Sequence, residues 1–353
     1  MTSTLSTTDL RIDTDLRIDT DPRPASQPTD TLLASAIAAG LITVREVTER
    51  AVELHGTALL LHGQPIAYGR RQGVGAAPDG ASRELGCLRL LAATGLVPEL
   101  RGSGEVTWTA AVRGDRLSAV HGTMGELAEV CQRWGAALAT LHQTRIAAGT
   151  EPPVAPRPWV LDPDRLPRTM RRAPSGSARA FVLHTLRSDR GLQRTVLRVA
   201  DHWSADHWTH GDLTGDRVRI LRSPDLQVRF VDLRGGGLGD PGWDLSGALE
   251  TVAELTSGTH APWGRASAAC LSEFLLQGYR RAGGTASVDA GTRALRIVAR
   301  AWEQAEALDA RTDHPASMHP AAARPIEATR LGERLRSARE LAARSARTGL
   351  AAA

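Results

Sequence analysis

Trp208-Thr209-His210-Gly211-Asp212-Leu213, with Val231-Asp232 twenty residues beyond Asp212, decides how this chain is read. Two short apolar runs, Val218 to Leu221 and Val228 to Val231, lie between the two acids and flank Ser223-Pro224-Asp225. Runs of that length around a turn signal predict a hairpin. It leaves Asp212 on a loop just after a helix and Asp232 at the C-terminal end of a strand, so both carboxylates are brought to one place. Further on, Gly239-Asp240-Pro241-Gly242-Trp243-Asp244-Leu245 opens a helix, where Asp240 and Asp244 are expected to fix the loop and the helix N-terminus.

Upstream, the pattern changes. Leu32 to Gly40 reads as a short helix, and Val44 to Leu54 as a second helix or a strand entry. Ala58 to His62 and Pro65 to Arg71, split by Gly63-Gln64, predict a β-hairpin, with Pro65 pointing to an edge strand. Ser82, Leu85, Leu88, Leu91 and Ala92 have helical spacing up to Gly95, and Val106 to Val112 reads as a further strand. A long amphipathic helix from Gly125 to about Ala148 follows, then a Pro-rich loop and helix between about Ala178 and Trp203. Helices return over Asp244–Leu255, Ala266–Arg281 and Thr292–Asp309, and an Arg- and Ala-rich amphipathic helix closes the chain from Ile326 to Leu350. This predicts an α+β architecture of two lobes. Residues 31–113 form a small β-containing N-lobe and residues 114–310 a larger, mainly helical C-lobe. Residues 1–30, with the repeat Asp9 to Thr14 and Asp15 to Thr20, read as a disordered acidic tail, and 311–353 as a C-terminal extension.

Composition excludes several classes. The net charge is +4, too small to argue for nucleic acid, and all 43 basic residues are arginine. No run approaches the ~20 apolar residues of a membrane span, and the polar N-terminus is no signal peptide, so a cytoplasmic protein is expected. Cys87, Cys131 and Cys270 lie far apart and read as small core residues of a reducing compartment.

A pair of carboxylates so placed suits phosphoryl transfer. That reaction asks for one carboxylate to hold magnesium, another beside the attacking hydroxyl, and little covalent chemistry. The His210-Gly211-Asp212-Leu213 block, the hairpin, Val231-Asp232 and Gly239-Asp240-Pro241 with Asp244-Leu245 together resemble the aminoglycoside phosphotransferase and choline kinase families, relatives of protein kinases. Arg83-Glu84 opening a helix that ends Thr94-Gly95-Leu96-Val97-Pro98 is similar too. The resemblance covers roughly residues 31–310. It implies a protein-kinase-like fold that uses ATP and Mg2+ to move the γ-phosphate to a hydroxyl. Carried onto this chain, Asp212 would accept or orient the hydroxyl proton, His210 would brace its loop, and Asp232 would bind magnesium. Glu84 would pair with the phosphate-holding residue of the N-lobe strand, and the backbone of Ala110 to Val112 would face adenine.

Three positions depart from the family. Arg70 stands where the strand lysine falls, and Leu233-Arg234 replaces a common Trp-Glu. Arg217 replaces the metal-binding Asn five residues after Asp212. A guanidinium cannot ligate a cation, so Arg217 is expected to turn to a phosphate or to solvent, with Asp216 as the nearest substitute ligand, one residue out of register. Pro158-Trp159-Val160-Leu161 and the spacing from Asp201-His202-Trp203 to Trp208 are similar to the kinase subunits of class V lanthipeptide synthetases. That likeness implies Ser or Thr of a precursor peptide as acceptor and a partner lyase that eliminates the phosphate; a hydroxyl-bearing small molecule is the other acceptor class. Two functional readings stand. The intact Asp212–Asp232 pair favours an enzyme, while Arg70 and Arg217 favour a kinase-like subunit that binds peptide or scaffolds a partner.

Overall fold

The computed structural model describes residues 29–49, 51–55, 58–71, 80–102, 106–163, 166, 173–222, 225–257, 264–313 and 323–352. The expected disordered tail therefore lies outside the described residues, apart from its last two positions. The described residues open with helices α1 (Thr29–Ala38) and α2 (Val44–Thr48), the latter held by a capping box between Thr43 and Glu46. Strands β1 (Val52–His55), β2 (Ala58–Leu61) and β3 (Gln64–Arg71) follow, then helix α3 (Gly80–Leu91) and strands β4 (Leu100–Arg101) and β5 (Val106–Ala110). They form one antiparallel sheet in the order β1-β2-β3-β5-β4.

Pro65 does not mark an edge: β3 is central. Its pairing with β5 begins only at Ala67, so the proline sits on the strand's overhanging start, next to a register shift at Leu59/Leu60. The sheet packs on α1 through Leu59, Ala67, Val106 and Trp108, with Leu32 and Ala36 from the helix. Trp108 is fully buried and donates its indole N–H to Ser35 Oγ at 3.1 Å. Its cross-strand partner is Gly69, where a Cβ would stand 2.8 Å from the indole ring.

A two-residue strand, β6 (Asp115–Arg116), leads into α4 (Met124–Gln143), which starts at a Thr123–Glu126 capping box and ends before the predicted Ala148. The region expected as one helix is two, α5 (Ala178–Ser188) and α6 (Arg190–Asp201). Asp189 breaks the path by accepting from the amides of Gly191 and Leu192 as the N-cap of the second. Then come β7 (His207–Thr209), β8 (Val218–Leu221), β9 (Gln227–Phe230) and β10 (Gly237–Gly239). The hairpin β8–β9 forms as predicted and takes β6 as a third strand; β7 pairs with β10. Helices α7 (Pro241–Ser257), α8 (Gly264–Arg281), α9 (Ala290–Asp313) and α10 (Ala323–Ala352) complete the chain.

Among the described residues the larger lobe has two apolar clusters. One joins α4 to α8 and the hairpin through Trp134, Leu138, Leu141, Phe230, Leu271 and Leu275. The other joins α5, α6, α9 and α10 through Val182, Val196, Val298, Trp302, Leu331 and Leu335. The basic C-terminal helix thus docks on its own body. Cys87 and Cys131 are buried, whereas Cys270 is exposed on α8 and is not a core residue. No helix among the described residues is long and apolar enough to cross a membrane.

Candidate active site

The acidic loop follows β7, a three-residue strand the sequence pattern did not reveal, rather than following a helix directly. Gly211 turns it with φ +77°, and a Cβ there would collide with the Gly235 carbonyl, so the position requires glycine. Asp244, fully buried near the start of α7, holds the loop from beneath. Its carboxylate accepts from the backbone N–H of His210 at 2.6 Å and of Gly211 at 2.9 Å. Trp243 Nε1 donates to the Gly211 carbonyl at 3.0 Å. The fully buried His210 ring meets the Val231 carbonyl at 2.9 Å through Nε2, which ties the loop to the strand leading to Asp232. Burial pushes the His210 ring down from its usual pKa, favouring the neutral form, in which Nε2–H donates to that carbonyl. Asp240 accepts from the Gly242 amide at 2.8 Å.

Asp232 lies two residues past the end of β9 in the left-handed region, φ 60° and ψ 61°, a conformation that Asp adopts more readily than most residues with a Cβ. The Val231 N–H donates to the Arg217 carbonyl at 2.9 Å, which sets Arg217 beside that strand end. The Arg217 side chain departs from expectation, turning neither to solvent nor away from the acids. Its Nη1 contacts Asp212 Oδ2 and donates to the Asp212 carbonyl at 2.9 Å, while Nε lies 3.1 Å from Asp232 Oδ2. Two carboxylates within reach of one cation leave it no better place.

Arg234 forks onto the same Asp232, Nε to Oδ1 at 2.5 Å and Nη2 to Oδ2 at 3.0 Å. Arg296, 3% exposed on α9, comes within 3.4 Å of Asp212 Oδ1 and stacks 5.2 Å over the Trp243 ring. Burial raises the Asp212 pKa, but Arg217 and Arg296 outweigh it and hold the carboxyl at about 2. Asp232 is likewise lowered: burial raises it, and the Arg234 hydrogen bond and the Arg217 charge pull it further down.

The site does not fit magnesium. The position between the two carboxylates holds a guanidinium, and among the described residues no three His, Cys, Asp or Glu side chains converge to hold a metal. Asp216 does not join Asp212 and Asp232 in a group that could hold a metal. Its carboxylate accepts from Ser118 Oγ at 2.5 Å, because the turn it occupies packs against the segment Leu117–Ala119.

A cleft of about 770 Å³ opens beside this centre. Glu84, Ala110, Ala111, Val112, Asp232 and Arg234 are among the residues that line it. Helix α3 is tied to the acidic strand end by Arg83, whose Nη1 donates to the Arg234 carbonyl at 2.9 Å. The fold thus brings Glu84, Ala110, Val112 and Asp232 to one cavity, with Asp212 joined to it through Arg217. Arg70 contributes a backbone paired with Thr107; its side chain, and so the expected Arg70–Glu84 pair, lies outside the described residues.

Sequence reasoning missed Arg296, and also His142, whose Nε2 lies 3.4 Å from Asp244 Oδ2, and Tyr279, whose hydroxyl lies 2.9 Å from His142 Nδ1. Arg296 left one trace: it interrupts Ala294, Leu295, Ile297, Val298 and Ala299, all buried, so α9 is apolar almost all round there. Arg116 and Arg219 also escaped notice; they pair directly across β6 and β8 and line the cleft.

Residues 70–290 match the model of a family described as the phosphotransferase enzyme family, APH. The chain belongs to the phosphotransferase enzyme family. Among solved structures it is similar to the choline kinase LicA from Streptococcus pneumoniae, at 14% identity and TM-score 0.52, covering 86% of this chain and 98% of that one. LicA has also been solved in complex with AMP. An aminoglycoside phosphotransferase from Alicyclobacillus acidocaldarius matches at 12% identity and TM-score 0.53, covering 92% of this chain and 97% of that one. At these identities the likeness shows the fold, two lobes of the protein-kinase type. Comparison with curated protein sequences finds no significant match.

Proposed function

We propose that this member of the phosphotransferase family binds ATP in the cleft beneath residues 110–112 and moves its γ-phosphate to a hydroxyl group. One observation carries the reading: the 110–112 backbone and the acidic centre open on the same cavity. The Ala110 and Ala111 amides already donate to the Glu99 and Ile66 carbonyls, at 2.8 and 2.9 Å, so adenine would meet this segment at Val112. In the transfer step the acceptor oxygen forms a bond to the γ-phosphorus, the bond to the bridging oxygen breaks, and ADP leaves. With its carboxyl held near 2, Asp212 is a weak base. Its role is to orient the hydroxyl, whose proton passes to an oxygen of the transferred phosphoryl group as the new bond forms, and from there to water. Negative charge developing on the phosphoryl oxygens faces the guanidinium groups of Arg217 and Arg234.

The acceptor is a hydroxyl on a small molecule or on a peptide Ser or Thr. Likeness of Pro158 to Leu161 and of the Trp203–Trp208 region to peptide-modifying kinase subunits makes a precursor peptide, paired with a lyase, the first acceptor to try. Arg217 supports a second reading, a subunit that binds nucleotide or peptide without turnover, because its guanidinium sits between both acids.

Two measurements separate the readings. Millimolar ATP should raise the thermal midpoint through linkage, and no shift would end the ATP proposal. Labelled phosphate should reach a choline, aminoglycoside or Ser/Thr-peptide acceptor, and Asp212→Asn, which misplaces the hydroxyl, should cut that rate about 10²-fold. Binding without transfer to any acceptor favours the second reading; equal transfer by both proteins eliminates Asp212.

A further inference from the structure

Three guanidinium groups surround two carboxylates. Arg217 spans Asp212 and Asp232, Arg234 forks onto the far side of Asp232, and Arg296 approaches Asp212 from α9. Arg296 is locked in place by its burial and by donating to the Leu213 carbonyl at 2.9 Å. Arg217 is locked at its backbone by the Val231 amide.

A divalent cation entering between the acids would have to displace Arg217 and then sit beside the guanidinium groups of Arg234 and Arg296. Its double charge doubles each of these repulsions relative to a monovalent ion. Guanidinium, by contrast, has the planar donor fork that matches phosphate oxygens.

We propose that Arg217 takes the place of a divalent cation in this chain, so that the Asp212–Asp232 pair binds no metal and nucleotide phosphates are met by guanidinium groups alone. The first part rests only on the arginine–carboxylate geometry; the second rests on the reading of the cleft as a nucleotide site. Cutting Arg217 back to a neutral amide should unmask a cation site, because two facing carboxylates then lose the charge that bridges them.

The test has two arms. Mn2+ is titrated into the nucleotide-free protein and the free-ion signal is followed by electron paramagnetic resonance. Wild type should leave that signal undiminished, while Arg217→Asn should capture the ion, with thermal unfolding used to show that the variant is folded. Capture by wild type that is lost in Asp232→Asn overturns the proposal, whatever Arg217→Asn does. In the second arm ATP is titrated into wild type by calorimetry, in EDTA and in excess Mg2+. Equal or tighter binding in EDTA supports the proposal, and a gain of about tenfold or more with Mg2+ overturns it. No ATP binding in either condition removes the nucleotide reading and the second part with it, and the Mn2+ arm still decides the first.

Discussion

Asp244 shows how much of the site hangs on one side chain. Burial pushes its carboxyl up, but the His142 contact and the two loop amides hold it ionised and below its usual pKa. Asp244→Ala leaves buried N–H groups and His142 without their acceptor. Breaking a buried network of this kind costs about 3–5 kcal/mol, so urea unfolding should shift by that much. A loss below about 1 kcal/mol would mean that Asp244 does not hold the loop. Asp212 makes a separate prediction with pH. Its folded pKa of about 2 lies below the unfolded value of ~3.9, so the stability it contributes is present above ~pH 4 and is lost as pH falls toward 2. The thermal midpoint of Asp212→Asn should therefore fall less steeply than that of wild type between pH 4 and 2. Parallel curves would show that the arginines do not depress Asp212. The acids were legible in the sequence because their signal is local, a His-Gly-Asp before a hairpin and an Asp after it. Their arginine partners were not: Arg217 could be located but its direction depends on the Val231 backbone contact, and Arg296 arrives from 84 positions away.

At the level of elements, long amphipathic helices and the β8–β9 hairpin were legible because hydrophobic period and turn chemistry act over a few residues. Strands β1, β4, β7 and β10 were not. They are two to four residues long and owe their existence to a neighbour elsewhere in the chain: β7 to β10, β4 to β5. Pro65 misled for the same reason, since whether a strand is central depends on what pairs beyond it. The α4–α8 contact was likewise invisible in the pattern. A Cβ on Gly135 would run into the Leu275 carbonyl, and one on Gly278 into the Gln132 carbonyl, so these helices touch backbone to backbone. Gly135→Ala should destabilise by about 1–3 kcal/mol or more, because neither backbone has room to move. Gly332→Ala on α10, with open space around it, should instead stabilise by about 0.5–1 kcal/mol through helix propensity. Chemical denaturation of the two variants checks both signs, and a neutral Gly135→Ala would contradict the close packing.

Across the whole molecule, the α10 helix and α9 bury Leu331, Leu335, Val298 and Trp302 together, so the extension beyond the family match is part of the larger lobe's core. That assembly holds α9, and with it Arg296, against the acidic loop. The small lobe adds residues 110–112 and Glu84 to the lining of the cleft. The central claim is that this cleft encloses a nucleotide. Hydrogen–deuterium exchange with and without ATP tests it most directly. The account predicts slower exchange confined to the backbone around Ala110 to Arg113 and Val231 to Gly236. Protection appearing instead at the separate cavity beside His142 and Tyr279, or nowhere in the chain, would contradict it.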